Sequence, residues 1–162
     1  MNKNAIKKFA IEARRGLIAR VRQRALIFGV SETDAGDPNA ESVNGHLLSL
    51  EEKRQRRDLI RRVREKGFEQ VMEEAAYTWF NRFAALRYME VNGYLPSYVR
   101  VFTDEAGEFK PQILAEAIHL DMDGLNMDKV YELKDANKTE ELYRYLLIVQ
   151  CNALNSILPG MF

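Results

Sequence analysis

With 162 residues, of which 46% are hydrophobic and 30% charged, the chain has the size and apolar content of one folded domain. Its 24 lysines and arginines balance its 24 aspartates and glutamates, so the total charge does not indicate a polyanionic partner. One cysteine excludes an intrachain disulfide, two histidines are too few for a structural zinc site, and no apolar run is long enough to span a membrane, so we expect a cytoplasmic protein.

The first predicted helix runs from Lys3 to about Phe28. Apolar residues recur there at three- and four-residue steps, which is typical of one helical face. Gly29 is a suitable C-terminal stop. Residues 30–48 then collect turn-forming and acidic residues without periodicity, so we predict a mobile acidic linker there.

A second helix is predicted to begin after Ser49, because Ser49 and Glu52 have the spacing of a capping box, and to end at Gly67. The third helix, Phe68 to Glu90, is the most apolar and is predicted to form the centre of the core. Its aromatic residues have helical spacing, so we predict core positions rather than a base-stacking platform for Tyr77, Trp79, Phe80, Phe83 and Tyr88.

The C-terminal half is predicted to contain a short β-hairpin near residues 98–110, because β-branched residues alternate there ahead of a turn. Three further helices are predicted: one from Pro111 to about Leu120, one from Met127 to Leu133, and one capped by Thr139 from Glu140 to Ile157. The predicted fold is therefore mainly α, a multi-helix, bundle-like single domain over residues 1–162 with about five to six helices.

The charge is distributed unevenly along the chain. Residues 1–70 contain 16 bases and 10 acids, whereas residues 71–162 contain 8 and 14. On both N-terminal helices the bases line up: those of the first lie within about 40° of one another, away from its apolar face, and those of the second recur at steps of four, four and three. Phosphates would offset their mutual repulsion, which makes seven residues candidate DNA phosphate contacts: Lys8, Arg15, Arg22, Lys53, Arg57, Arg61 and Arg64.

A competing interpretation is that carboxylates of the linker and of the C-terminal half neutralise both basic helices within the molecule, or that solvent alone covers them. Arg20 and Arg24 are in line with the apolar face of the first helix, so we predict that they form ion pairs within the fold.

Nothing in the sequence predicts catalytic, cofactor-binding or metal-binding residues. Phosphate-binding glycine loops and nucleophile elbows are absent. Residues 121–132 are spaced like a calcium loop, but Leu125 and Asn126 occupy positions that need an oxygen ligand and a glycine. Cys151 is predicted to be a buried, unreactive thiol within the last helix.

Three segments carry a resemblance to a known family: residues 1–15, residues 71–91, and residues 145–152 together with Leu158-Pro159. Their runs MNKNAIKKFA, VMEEAAYTWFNRF and YLLIVQCN are similar to the N-terminal region of PglX, the adenine-specific DNA methyltransferase family of BREX phage-defence systems. Family members are several times longer, and their Asn-Pro-Pro-Tyr-type motif and their glycine-containing loop for S-adenosylmethionine do not occur here. The resemblance therefore implies an N-terminal fragment of a larger enzyme.

The resemblance also implies a function for the parent protein, which would flip an adenine out of duplex DNA and methylate its N6 from S-adenosylmethionine, so that the defence system spares host DNA. For the fragment we expect a module that helps to hold duplex DNA. The alternative is a scaffold that packs on the methyltransferase core or docks another BREX protein. A free-standing regulator is disfavoured by the lack of a helix-turn-helix signature.

Overall fold

The structure, a computed structural model, describes residues 3–162. These residues form six helices and one antiparallel pair of two-residue strands. The elements in chain order are α1 (Lys3–Ile27), β1 (Ser42–Val43), β2 (His46–Leu47), α2 (Leu50–Lys66), α3 (Phe68–Asn92), α4 (Gln112–Ala115), α5 (Met127–Asp135) and α6 (Thr139–Asn155). The prediction of a mainly helical chain with five to six helices and a short hairpin is confirmed.

The chain divides into two compact units, Met1–Phe80 and Asn81–Phe162, and the division falls within α3. That residues 1–162 form a single domain stays a prediction. The first unit has one apolar core, supplied by α1, α2 and the beginning of α3. Each fully buried aliphatic side chain in such a core contributes about 1.5–3 kcal/mol. The buried residues of this core are Ala25, Val30, Ile60, Val63, Phe68, Val71 and Met72.

The ends of α2 follow the local sequence signals. Ser49 Oγ accepts the N–H of Glu52 at 3.2 Å, and the Glu52 carboxylate accepts the N–H of Ser49 at 2.9 Å, which completes the predicted capping box. At the other end, Gly67 has a φ of 88° and its N–H donates to the carbonyl of Val63 at 2.8 Å. The sequence between these two signals forms one uninterrupted helix.

Residues 30–48, predicted to be a mobile acidic linker, contain regular structure that the sequence analysis missed. The strands β1 and β2 pair there across Asn44 and Gly45, which both have positive φ angles of 51° and 79°, as a type I′ hairpin turn requires. From α2, the buried Arg56 donates through Nε to the carbonyl of Phe28 at 2.8 Å and through its terminal nitrogen to the carbonyl of Asp37. These bonds satisfy carbonyl groups that the end of α1 and the loop would otherwise leave unpaired. Mobility of the segment stays a prediction.

The hairpin predicted near residues 98–110 is also wrong in its position, because these residues form turns without strands. The buried carboxylate of Glu90 organises them instead. It accepts the N–H groups of Val101 and Phe102 at 2.6 and 2.7 Å and the hydroxyl of Thr103 at 2.7 Å. A side chain from α3 thus replaces the second strand as the hydrogen-bonding partner of this segment.

The second unit contains two clusters of buried apolar residues. One joins α4, α5 and α6 through Ile113, Val130 and Leu146. The other gathers Leu86, Leu95, Val101, Cys151, Leu154 and Phe162. Cys151 is buried as predicted, and burial raises the pKa of its thiol, so the reactive thiolate is disfavoured.

Several predicted details need correction. The helix predicted from Pro111 to Leu120 is regular only at α4, after which the chain continues in turns. Thr139 is the first residue of α6 rather than its cap. Tyr77 and Tyr88 were assigned to the core by their helical spacing, yet they are 69% and 63% exposed. The long helix α3 therefore buries a narrower stripe than its composition predicts.

Candidate nucleic-acid interface

The basic residues of the chain are concentrated on α1 and α2. Helix α1 carries eight lysines and arginines against one acid, Glu12, and α2 carries eight against four. Both helices belong to the first unit, so the structure places all seven candidate phosphate contacts in the same compact unit. The seven residues differ in whether their cation already pairs with a carboxylate or a carbonyl group of that unit.

On α1, the three candidates differ in their partners. Lys8 lies 3.9 Å from the carboxylate of Glu12 one turn away, and Arg22 donates to Glu69 of α3. Arg15 is exposed and makes neither an ion pair nor a hydrogen bond with its side chain within residues 3–162. Since surface pairs such as Lys8–Glu12 contribute at most about 1 kcal/mol, they yield readily to a phosphate.

On α2, Lys53 is the most enclosed candidate, with 22% of its side chain exposed and an ion pair to Glu41 beside the hairpin. Arg61 lies 3.2 Å from Asp58 and 3.6 Å from Glu65, and the hydrogen bond to Asp58 together with both charges raises its pKa further above the neutral range. Arg64 donates to the carbonyl of Gly36 at 3.2 Å. These three are therefore occupied at least in part within the unit.

Arg57 is exposed and has no side-chain partner in the described part of the chain, and the same holds for Arg54, which the sequence prediction missed. The signal for Arg54 was present: at 100° per residue it lies nearly opposite the stripe of Ile60 and Val63. Arg15, Arg54 and Arg57 are thus exposed bases with no partner between residues 3 and 162, a property that Lys3, Lys7 and Arg20 of α1 share.

The predicted ion pairs of Arg20 and Arg24 are wrong. Neither guanidinium meets a carboxylate in the region that the structure describes; Arg24 instead lies over the ring of Phe28, 4.9 Å from its centroid. The pairs that tie α1 to α3 come from other arginines, because Arg14 lies 3.1 Å from Glu73 and Arg22 pairs with Glu69.

The carboxylates that meet the candidate bases all come from the first unit. Residues 41–69 supply Glu41, Asp58, Glu65 and Glu69, and Glu12 comes from α1 itself. Neutralisation within the molecule is thus real but incomplete, because an exposed excess of positive charge remains on both helices.

Between residues 3 and 162 no group of three or more His, Cys, Asp or Glu side chains is arranged to hold a metal ion. Over the same residues, no helix combines the length and the hydropathy that a membrane crossing requires.

No protein-family model matches the chain. The adenine-specific methyltransferase PglX of Lacticaseibacillus casei (strain Zhang) is 35% identical over 186 aligned residues, which cover 100% of this chain and 16% of that protein. The adenine-specific methyltransferase BrxX of Escherichia coli O9:H4 (strain HS) is 35% identical over 181 residues, covering 100% of this chain and 14% of that protein. The resemblance seen in the sequence is confirmed: over its whole length this chain is homologous to a part of the PglX/BrxX adenine-specific methyltransferases.

Proposed function

We propose that this chain is the N-terminal helical part of a BREX adenine-specific DNA methyltransferase and that it helps to hold duplex DNA by its phosphates. The observation that carries the proposal is a set of exposed arginines that have no partner within residues 3–162: Arg15 and Arg20 on α1, and Arg54 and Arg57 on α2. A cation that nothing in the fold neutralises is available to a phosphate at no cost in lost ion pairs.

Candidates that already pair with a carboxylate would contact DNA by exchanging that carboxylate for a phosphate. Lys8 and Arg22 hold carboxylates that are 64% and 48% exposed, so a phosphate can replace each carboxylate as the partner of the same base. Binding of this kind is independent of DNA sequence, since phosphate contacts set position and base contacts set specificity. Recognition of the target adenine would then lie in the rest of the enzyme.

The parent enzyme is proposed to transfer a methyl group from S-adenosylmethionine to the N6 of a flipped adenine, by its likeness to relatives that are named adenine-specific methyltransferases. The residues described here do not fit a site for that cofactor. Their only strands are the two-residue pair β1 and β2, and the turn from β2 into α2, Leu48-Ser49, contains no glycine. We therefore expect the rest of the enzyme to hold S-adenosylmethionine.

The proposal is tested by titrating the 162-residue chain with duplex DNA at several salt concentrations. The triple variant Arg15→Gln/Arg54→Gln/Arg57→Gln is expected to bind more weakly, and its plot of log affinity against log salt is expected to be shallower by about 2–3, because each lost phosphate contact removes about 0.9 from the slope.

A matched control removes three exposed cations of the second unit, Lys110, Lys134 and Arg144, by the same change to Gln. It alters the net charge equally and should leave the slope near that of the unchanged chain. If both triple variants lose the same slope, only the overall charge matters and the assignment to α1 and α2 is wrong. Absence of binding even at low salt would contradict the DNA proposal as a whole.

A scaffold role is the second candidate, and exposed apolar residues favour it. Ile6, Phe9 and Tyr77 are 48%, 64% and 69% exposed. Contacts with DNA phosphates do not require exposed apolar side chains, whereas a protein interface uses them. A chain that fails to bind DNA but binds the separately produced remainder of its methyltransferase would support this role.

A further inference from the structure

A crevice of about 280 Å³ opens in the first unit between α1, α2 and the beginning of α3. Its floor is apolar and includes the buried residues Ala25, Val71 and Met72, and two aromatic side chains, Phe28 and Trp79, line it as well. The volume is near the lower end of the range for small-molecule sites, about 300–1,000 Å³, so the crevice suits one compact ring system rather than a long chain.

The charged side chains that line this crevice are all positive. Arg24, Arg56 and Arg62 line it, and no aspartate or glutamate does. Arg56 is already engaged by the carbonyl of Phe28, and Arg62 by Glu74 at 3.0 Å. Arg24 has no carboxylate partner within residues 3–162 and lies over the Phe28 ring. It is therefore the cation best able to meet an anionic ligand.

An apolar, aromatic-lined crevice with unneutralised arginines is complementary to a planar ring that carries an anionic group. Aromatic side chains stack on such rings, and a guanidinium forms charge-assisted hydrogen bonds with a phosphate or carboxylate. We propose that the crevice binds a single nucleotide unit, with its base against Phe28 and Trp79 and its phosphate at Arg24. The shared chemistry is the same whether the unit is a free mononucleotide or an unpaired nucleotide of a strand.

This site is distinct from the proposed duplex contacts. Two residues along a helix correspond to about 200° of rotation, so Arg62, in the crevice, projects about 160° away from Arg64 of the basic ladder. One helix thus presents cations on two sides, and the crevice proposal does not depend on duplex binding.

The chain provides its own probe, because Trp79 is its only tryptophan and lines the crevice. We expect adenosine 5′-monophosphate to change the tryptophan fluorescence saturably. Adenosine, which lacks the charge, and inorganic phosphate, which lacks the ring, should each bind at least about tenfold more weakly. The variant Arg24→Met should lose about tenfold in affinity for the monophosphate, whereas Arg20→Met, an exposed arginine of the same helix outside the crevice, should lose none.

Circular dichroism of each variant confirms that the helices are intact before the titrations are compared. Equal affinity for adenosine and its monophosphate, or equal losses for the two arginine variants, would overturn the proposal. A short single-stranded oligonucleotide that displaces the monophosphate would identify a strand nucleotide as the ligand, and failure to displace it would identify the free mononucleotide; either result keeps the site. Duplex binding is scored separately, so either proposal can fail alone.

Discussion

The carboxylate of Glu90 accepts the backbone N–H of Val101 at 2.6 Å, although α3 has ended and the chain has turned back between the two residues. The carbonyl of the same Val101 accepts the hydroxyl of Tyr143 at 3.1 Å. Burial and the negative charge of Glu90 both raise the pKa of that phenol, so the hydroxyl stays a donor at every physiological pH. One backbone unit is thus held by side chains from α3 and α6.

The variant Glu90→Gln is expected to lower the free energy of unfolding by about 2–3 kcal/mol, because an amide cannot accept from all of the donors that converge on the carboxylate. These donors are Arg87, Val101, Phe102 and Thr103. Urea titration followed by circular dichroism measures the loss. A change below about 0.5 kcal/mol would contradict the anchoring role.

The same carboxyl makes stability depend on pH. Burial by itself raises the pKa of Glu90, but its hydrogen bonds outweigh burial and hold the pKa below the ordinary value. A lowered folded-state pKa stabilises the fold above the unfolded-state pKa of about 4.3, and this contribution is lost as the pH falls through the folded-state value. The stability difference between the unchanged chain and Glu90→Gln should therefore be constant above about pH 5 and shrink below it; a constant difference down to pH 3 would be inconsistent with this sign.

Arg56→Met is expected to destabilise the first unit by about 2–4 kcal/mol, because the carbonyls of Phe28 and Asp37 lose their donors. The neighbouring Arg57→Met removes the same charge from an exposed position and should cost less than about 0.5 kcal/mol. Thermal unfolding of the two variants provides the comparison. Similar losses of stability in the two variants would mean that the buried position of the Arg56 guanidinium contributes little to stability.

Gly36→Ala and Gly45→Ala separate backbone strain from close contact. Both glycines have positive φ angles, 77° and 79°, so either alanine costs about 1–2 kcal/mol in a left-handed conformation. A Cβ at Gly36 would also lie 2.5 Å from Arg56 and 2.8 Å from the carbonyl of Gly29, whereas one at Gly45 meets nothing within 4 Å. Gly36→Ala should therefore cost about 1–3 kcal/mol more than Gly45→Ala in a denaturant titration. Equal costs would indicate that the loop relaxes around the added methyl group.

Glu41→Gln is expected to raise the affinity for duplex DNA by up to about fivefold, because it releases Lys53 from its ion pair. The gain should vanish when Lys53 is already changed to Met. Glu32→Gln, which removes an exposed acid of the same segment that has no ion pair in the described part of the chain, serves as the control in the same binding assay. Equal gains for Glu41→Gln and Glu32→Gln would show that the pair itself has no role.

Local signals predicted much of the fold. The spacing of Ser49 and Glu52 set the start of α2, and Gly67 its end, because capping depends only on residues within one turn. The hairpin was misplaced for a different reason. Asn44-Gly45 is the strongest short hairpin signal in the chain, but its neighbours are acidic and turn-forming, a composition that is typical of a linker. Residues 98–110 have the alternation of a strand, but the partner of their backbone is a side chain from α3.

The candidate interface was predictable only in part. Helical spacing identified the outward bases, and a stricter comparison with the buried stripe would have added Arg54. The partners of these bases could not be read from the sequence, because Arg22 meets Glu69 across 47 positions and Arg64 meets the carbonyl of Gly36 across 28. Tertiary packing, rather than spacing along one helix, decides which cations remain available.

The buried Arg56 also sets an order of events for a chain that is still being synthesised. Its hydrogen bonds reach back 28 residues to Phe28 and 19 residues to Asp37, so the corner after α1 gains its donors only after α2 has been made. Domains generally form as units from the N-terminus during synthesis, but here an early segment depends on a later one. On the ribosome, the loop around the hairpin therefore lacks these hydrogen bonds until α2 has left the exit tunnel.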